Sequence, residues 1–456
     1  MAIDGQSEAA IRSFEAALQA LMAGQVTMIA ESSIRPATEL PKLVDITAAP
    51  KDEVGELLSQ TVVIKLNGGL GTGMGLTKAK SLVSIRKGCA FLDLIALQVR
   101  SLRAKHQSTL PFLLMSSFST AEDTAACLAA YPDLGNPSTL QFLQSRVPKV
   151  DAATMKPVSY PADPSLEWCP PGHGDLYPSI QGSGKLDALL DSGVRYAFVS
   201  NSDNLGATLN SDLLHHFVHS DKALMMEVTR RTAADRKGGH LALEQDSGHL
   251  LLRESAQCAD EDTAAFQDID THRYFNTNNL WLRLDLIKEA LDANDGVLPL
   301  PVIKNDKTVD PRDKASTKVI QLETAMGAAI GTLESTSAIV VDRSRFAPVK
   351  TTNDLFALRS DAFILTENYY LELHPDLGGV PPNVALDPTH YKLIDNMEAL
   401  LGENIPSLMN CGALTVQGPV NFAENVILQG QVTIINAHGE PRTVPTGTYV
   451  DQTLTL

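Results

Sequence analysis

Cysteine is scarce in this chain, tryptophan scarcer, and no long apolar run occurs. The five cysteines (Cys89, Cys127, Cys169, Cys258, Cys411) lie far apart with no C-x-x-C pair, an odd and dispersed set that makes a poor disulfide framework and points to a reducing cytoplasm. No stretch of about 18 consecutive apolar residues is found. The start, Met1-Ala2-Ile3-Asp4, lacks the basic residues and apolar run of a secretory signal. Neither secretion nor membrane insertion is expected. Positive charge is short as well: 37 Lys plus Arg against 54 Asp plus Glu leave a net charge of −17, which repels nucleic-acid backbones and anionic lipid. Nucleic acid and membrane are therefore not expected as partners. Any phosphate-bearing ligand has to be met by a few placed lysines, by backbone N–H groups or by a metal. What is present is a globular composition, 44% hydrophobic and 20% charged over 456 residues, long enough for more than one structural unit.

Apolar periodicity orders the chain. Ile11, Phe14, Leu18, Leu21 and Met22 follow a helical repeat and predict an amphipathic helix packed on a larger body. Prolines at 36, 41 and 50 punctuate the segment after it. From Thr61 the run Val62-Val63-Ile64 reads as a buried strand entering a glycine-rich loop. A helix through Leu92 to Leu102, a strand from Pro111 to Met115 and a helix opened by the capping box Ser119-Thr120-Ala121-Glu122 are expected next. Helix at 185–190, strand at 196–200, helix at 211–219 and strand at 223–229 continue the alternation. This is α/β grammar, a mostly parallel sheet flanked by helices. Ligands in such sheets sit beyond the carboxyl ends of strands, here the loops that start at Asn67 and Asn201.

The last residues follow another rule. Leu414, Val420, Val426 and Val432 recur every six residues, as do Val416, Phe422, Leu428 and Ile434. That period fits the stacked coils of a parallel β-helix, with ordinary β-hairpins as the alternative. Residues 356–402 carry no motif and read as a connector. The expected division is a helical segment at 1–55, a catalytic domain at 56–355, the connector, and a β-helix domain at 403–456. The open end of the ladder suits either a second copy, giving a homo-oligomer, or a capped monomer.

The stretch Asn67-Gly68-Gly69-Leu70-Gly71-Thr72-Gly73-Met74-Gly75 has five glycines in nine residues. Absent side chains expose backbone N–H donors that can wrap an anion or a nucleobase edge. A Walker A loop fails on spacing, because no pair of these glycines five apart is followed by Lys; a dinucleotide fingerprint fails because Gly71, Gly73 and Gly75 run at intervals of two. Lys78 and Lys80 just downstream supply the cations that a polyphosphate needs.

Residues 65–72 (KLNGGLGT), with Met74-Gly75 and Lys80-Ser81, resemble the nucleotide-binding loop of the eukaryotic-type UTP–glucose-1-phosphate uridylyltransferases, the UDP-glucose pyrophosphorylases. The resemblance continues through Gln144-Ser145-Arg146, residues 170–175 (PPGHGD), 199–208 (VSNSDNLGAT), 237–239 (KGG), 275–281 (FNTNNLW), 321–325 (QLETA) and 343–352. It implies a GT-A-like (Rossmann-like) nucleotidyltransferase domain with a C-terminal left-handed parallel β-helix. It also implies that UTP and a sugar 1-phosphate, with Mg²⁺, give a UDP-sugar and pyrophosphate reversibly. Glucose 1-phosphate is the favoured acceptor; a broader UDP-sugar pyrophosphorylase or a non-catalytic UDP-sugar-binding protein is the alternative. By this likeness Lys80 and Lys350 are catalytic, Asp203 binds UTP and the metal, and His173 and Lys78 contact phosphates. Leu66, Gly68, Gly69, Gln144 and Gly172 hold uracil. Asn201, Gly239, Asn276, Asn278 and Glu323 lie near the sugar. Thr77-Lys78-Ala79-Lys80 departs from the family's usual Lys-Gly-Pro-Lys, and 307–318 is longer than expected. His215 and His219, four apart without H-E-x-x-H, read as a helix-surface pair.

Overall fold

The computed structural model of the chain describes residues 1–24, 28–86 and 88–456. Its centre is the strand Thr61–Asn67, buried at every position. β-Branched residues make this run a strand, and helices on both faces bury it. Phe112–Ser116 pairs with it in parallel on one side and Tyr196–Asn201 on the other, and Gln141–Leu143 extends the parallel set beyond Phe112–Ser116.

The expectation of a mostly parallel sheet needs correction, because the sheet has a parallel core within a mixed assembly. The ten-residue strand Tyr274–Arg283 runs antiparallel to both Tyr196–Asn201 and Leu224–Arg230. The cause is the long excursion after Arg230. It closes on itself, with Arg231 N–H donating to the Arg273 carbonyl at 2.8 Å, so the chain re-enters the sheet at the end it left. Thr336–Val340 then pairs in parallel with Leu224–Arg230. The amino-terminal half of Tyr274–Arg283 thus lies at the same edge of the sheet as Asn67 and Asn201.

Helices Phe91–His106 and Ser211–Val218 cover one face and Leu176–Gly182, Lys185–Asp191 and Leu284–Ala293 the other. The first helix, Glu8–Met22, is capped by Ser7 and buries only Ala10 and Phe14; Met22 is exposed. The capping box expected at 119–122 does not form. Thr120 is the N-cap without a side-chain cap bond; its hydroxyl accepts from Ser117 N–H at 2.9 Å and donates to the Asn67 carbonyl at 2.8 Å. The buried carbonyl at the end of the central strand claims the hydroxyl, which ties the next helix to the glycine loop.

The six-residue repeat is buried throughout. Leu414 pairs with Val432 and Val416 with Ile434 in a parallel ladder between Ser407–Gln417 and Val426–Ile435. A second parallel ladder joins Val420–Phe422 to Arg442–Val444. The first ladder begins earlier, at Asn383–Leu386, where no sequence motif marks it. One apolar core runs from the central sheet through Phe356, Tyr391 and Met397 into these ladders. No described helix is long and apolar enough to cross a membrane, and the five cysteines are unpaired.

Candidate active site

Two loops leave neighbouring parallel strands and face one another. From the first, Lys80 reaches across so that its Nζ lies 2.6 Å from Asp203 Oδ2 in the second. The glycine loop folds back onto itself, Lys80 N–H donating to the Gly69 carbonyl at 3.0 Å. Among the described residues the N–H groups of Gly69, Leu70 and Gly71 donate to no protein acceptor, so they remain available to an anion. Gly75 rests on Leu393, 3.0 Å from where a side chain would start. Lys78 is exposed and lines a separate cleft with Ile394, Asp395 and Glu398; it does not join the Lys80–Asp203 pair.

Lys350 arrives from the far end of the catalytic unit, and its segment is fastened to the Asp203 loop at several points. Val349 N–H donates to the Asp203 carbonyl at 3.2 Å. Asn204 accepts from Ala347 N–H at 3.0 Å and donates to the Arg345 carbonyl at 3.1 Å. Beneath them Glu227, fully buried, accepts from Arg345 Nε and Nη2, both at 2.7 Å, from Trp281 Nε1 at 2.9 Å and from Asn279 Nδ2 at 3.1 Å. A buried carboxylate with four donors is satisfied and rigid. The Lys350 and Thr351 N–H groups donate to Asp354, which fixes the backbone. The Lys350 side chain is exposed, its Nζ 5.9 Å from the Phe346 ring centroid.

Lys65, at the end of the central strand, is buried. Its Nζ donates to Ser200 Oγ and the Ala207 carbonyl, both at 2.7 Å, so it joins the two loops from below. Burial and, secondarily, the Arg345 charge pull its pKa down to about 7.

At the opposite end of the glycine loop Gln144 donates from Nε2 to the Gly172 carbonyl at 2.9 Å. A side chain on Gly68 would meet Gln144 Oε1 at 2.7 Å, and one on Gly172, whose φ is +81°, would run into the Thr324 carbonyl. Gly68, Gln144 and Gly172 are thereby brought together around an amide, the group suited to a carbonyl-and-imide edge. His173 Nδ1 accepts from Met326 N–H at 3.0 Å. Burial depresses the His173 pKa to about 4, so the ring is neutral near pH 7 and carries its proton on Nε2.

The sugar candidates come from several segments, and Glu323 lies beside Gly172 rather than among the asparagines. Asn276 and Asn278 brace each other through two 2.9 Å hydrogen bonds at a register break in the sheet. Gly327 packs on Asn276, leaving 2.9 Å from a notional side chain to Nδ2. Gly239 faces Glu254, whose Oε2 occupies the place where a side chain would begin; burial raises the Glu254 pKa. Glu323 is half-buried, and burial raises its pKa against the opposing pull of Asn305 and the Lys307 charge. Asn201 ends its strand at the sheet edge, partly exposed.

Sequence reasoning missed Glu254, Lys65 and the Glu227–Arg345 pair. The signal for Glu227 was available: an acid in the middle of the apolar run Leu224–Val228 has to find a partner. Among the described residues no three His, Cys, Asp or Glu side chains cluster as a metal cage. Asp203 is a single carboxylate at the sheet edge, with Lys80 on one oxygen and no protein donor on Oδ1 among the described residues. That donor set fits Mg²⁺ only as an ion whose shell is completed by phosphate oxygens and water. The His215 and His219 rings lie 4.3 Å apart on their helix, tilted by 40°.

Comparison with known proteins gives a consistent result. The sequence model of a family described as UTP–glucose-1-phosphate uridylyltransferase matches residues 11–429. A UTP–glucose-1-phosphate uridylyltransferase of Hordeum vulgare is 40% identical over 435 residues, 94% of this chain and 89% of that one. One from Saccharomyces cerevisiae is 40% identical over 395 residues, covering 86% of this chain and 77% of that one. Among solved structures, a mutant of UDP-glucose pyrophosphorylase from Leishmania major in complex with UDP-glucose is 45% identical with a TM-score of 0.93, covering 100% of this chain and 97% of that one.

Proposed function

The chain belongs to the UTP–glucose-1-phosphate uridylyltransferase family and converts UTP and glucose 1-phosphate to UDP-glucose and pyrophosphate; on that premise we propose how its residues divide the work. An oxygen of the sugar phosphate attacks the α-phosphorus of UTP in line and pyrophosphate leaves, so the protein supplies alignment and charge rather than a nucleophile. The observation that carries the assignment is the Lys80–Asp203 contact with the Lys350 segment bonded to the same loop.

Lys80 holds the leaving phosphates, and Lys350, on a fixed backbone with an exposed side chain, swings off the Phe346 ring onto the sugar phosphate and the α-phosphate. Both lysines oppose charge that accumulates in transfer. Lys78, facing the adjoining cleft, adds a remote cation. His173 offers its Nε2–H to a phosphate oxygen. Gln144, with Leu66, Gly68, Gly69 and Gly172, reads uracil. Asn201, Gly239, Asn276 and Asn278 meet the sugar hydroxyls together with Glu254, and Glu323 borders them. Mg²⁺ would be held by the Asp203 carboxylate and substrate oxygens, and would there neutralise phosphate charge.

We also assign residues 403–456 to a left-handed parallel β-helix, a reading supported by the stacked parallel ladders, and place the protein in a reducing cytoplasm, in keeping with its unpaired cysteines. The test is pyrophosphate release from UTP and Mg²⁺ with glucose, galactose or N-acetylglucosamine 1-phosphate. Glucose 1-phosphate should turn over fastest; equal rates with galactose 1-phosphate would overturn the sugar assignment. UTP alone should release little.

A further inference from the structure

Gly239 and Glu254 face each other because of a hairpin register. His240 pairs with Arg253 across the strands His240–Glu244 and Leu250–Arg253, so the next residue outward on each strand meets the other at the sugar end. What fixes that register lies behind the site. Arg253 is fully buried, donating through Nη1 to Glu31 Oε2 at 2.5 Å and through Nη2 to Asp262 Oδ2 at 3.0 Å. The other Glu31 oxygen lies 2.7 Å from His272 Nε2, and the His272 ring stacks on His240 at 3.9 Å. Glu31 N–H donates to Asp262 Oδ2 at 2.7 Å. Glu31 thus holds both strands of the hairpin, Arg253 directly and His240 through His272, although it comes from the amino-terminal segment and is 222 residues from Arg253 in sequence.

We infer that Glu31 is a positioning residue for the hexose 1-phosphate: through Arg253 and His272 it holds Gly239 and Glu254 in register against the sugar hydroxyls. A buried guanidinium keeps its geometry only while its carboxylates stay in place. The inference rests on the proposed placement of the sugar at Glu254.

The test uses the full-length protein. Glu31→Gln removes the charge at nearly constant shape; it should raise KM for glucose 1-phosphate about tenfold, the worth of one well-placed hydrogen bond, while KM for UTP stays within about twofold. A merely structural role would raise both constants in parallel, or lower only the folded fraction. Either outcome, or two unchanged constants, overturns the inference. Should Glu31→Gln fail to fold, His272→Asn keeps the Arg253 pair, drops only the second tether, and reads the same split. Glu254→Gln separates the two claims. If it raises the sugar KM while Glu31→Gln does not, only the positioning role fails; if it leaves the sugar KM unchanged, the sugar placement fails and the inference with it.

Discussion

Replacing Arg345 with Met tests whether the buried ion pair clamps the Lys350 segment. Arg345 and Glu227 are 9% and 0% exposed at their side chains, so the change strands a carboxylate out of water with only Trp281 and Asn279 as donors. Breaking such a pair from one side costs about 3–5 kcal/mol. Unfolding entropy of roughly 2.1 cal/mol/K per residue over 456 residues comes to about 1 kcal/mol/K. If the chain unfolds as one unit, Tm should therefore fall by about 3–5 °C, measured by calorimetry. The same change removes the support beneath the Arg345–Val349 stretch and the Arg345 Nη2 bond to the Thr208 carbonyl, and misplacement of a reacting cation by about 1 Å costs on the order of 100-fold. Turnover should drop by about 10- to 100-fold. Pairing Arg345→Met with Glu227→Leu should recover part of the stability, because the uncompensated charge is gone, though Trp281 and Asn279 then lose their acceptor. A Tm shift under about 1 °C, or a double variant whose loss equals the sum of the singles, would refute the clamp. A full Tm loss with unchanged kcat would show that the clamp does not position Lys350.

Lys350→Ala should lower kcat by about 100-fold or more while changing UTP affinity little, because its contact strengthens as charge develops; isothermal titration with UTP and steady-state rates separate the two. Asp203→Asn should raise the half-saturating Mg²⁺ concentration at least about tenfold, the scale seen when even outer partners of a metal are lost, read from a Mg²⁺ titration of pyrophosphate release. His173 has a folded pKa of about 4 against 6.5 for the free group, so between these values the unfolded chain binds the extra proton. Stability should fall as pH drops from 6.5 toward about 4, and His173→Gln should flatten that slope in urea titrations; an unchanged slope would count against the buried neutral imidazole.

Local signals carried far in this sequence. The apolar run at 62–64 and the glycine loop are marked by residues next to one another, and the positions 414–434 by a fixed six-residue interval, so each could be read locally even where the strand partner is remote. The features that stayed hidden depend on distant partners. The direction of Tyr274–Arg283 is set by where the excursion after Arg230 closes. Glu227 finds Arg345 118 residues on, and Glu254 meets Gly239 only through a hairpin register. Thr120 followed the same logic: its local cap lost to the carbonyl of Asn67, 53 residues away.

The contact of Gly75 with Leu393 puts the glycine-rich loop and the carboxyl-terminal ladders mechanically in series. Leu393 opens the helix Ile394–Leu401, and just before it the Tyr391 hydroxyl donates to the Val420 carbonyl and accepts from Val420 N–H at the start of a ladder. Trimming the tail would thus withdraw a backstop from the loop proposed to receive the nucleotide. A shortened protein that still folded would be expected to handle its triphosphate less well, despite keeping every residue proposed to touch it.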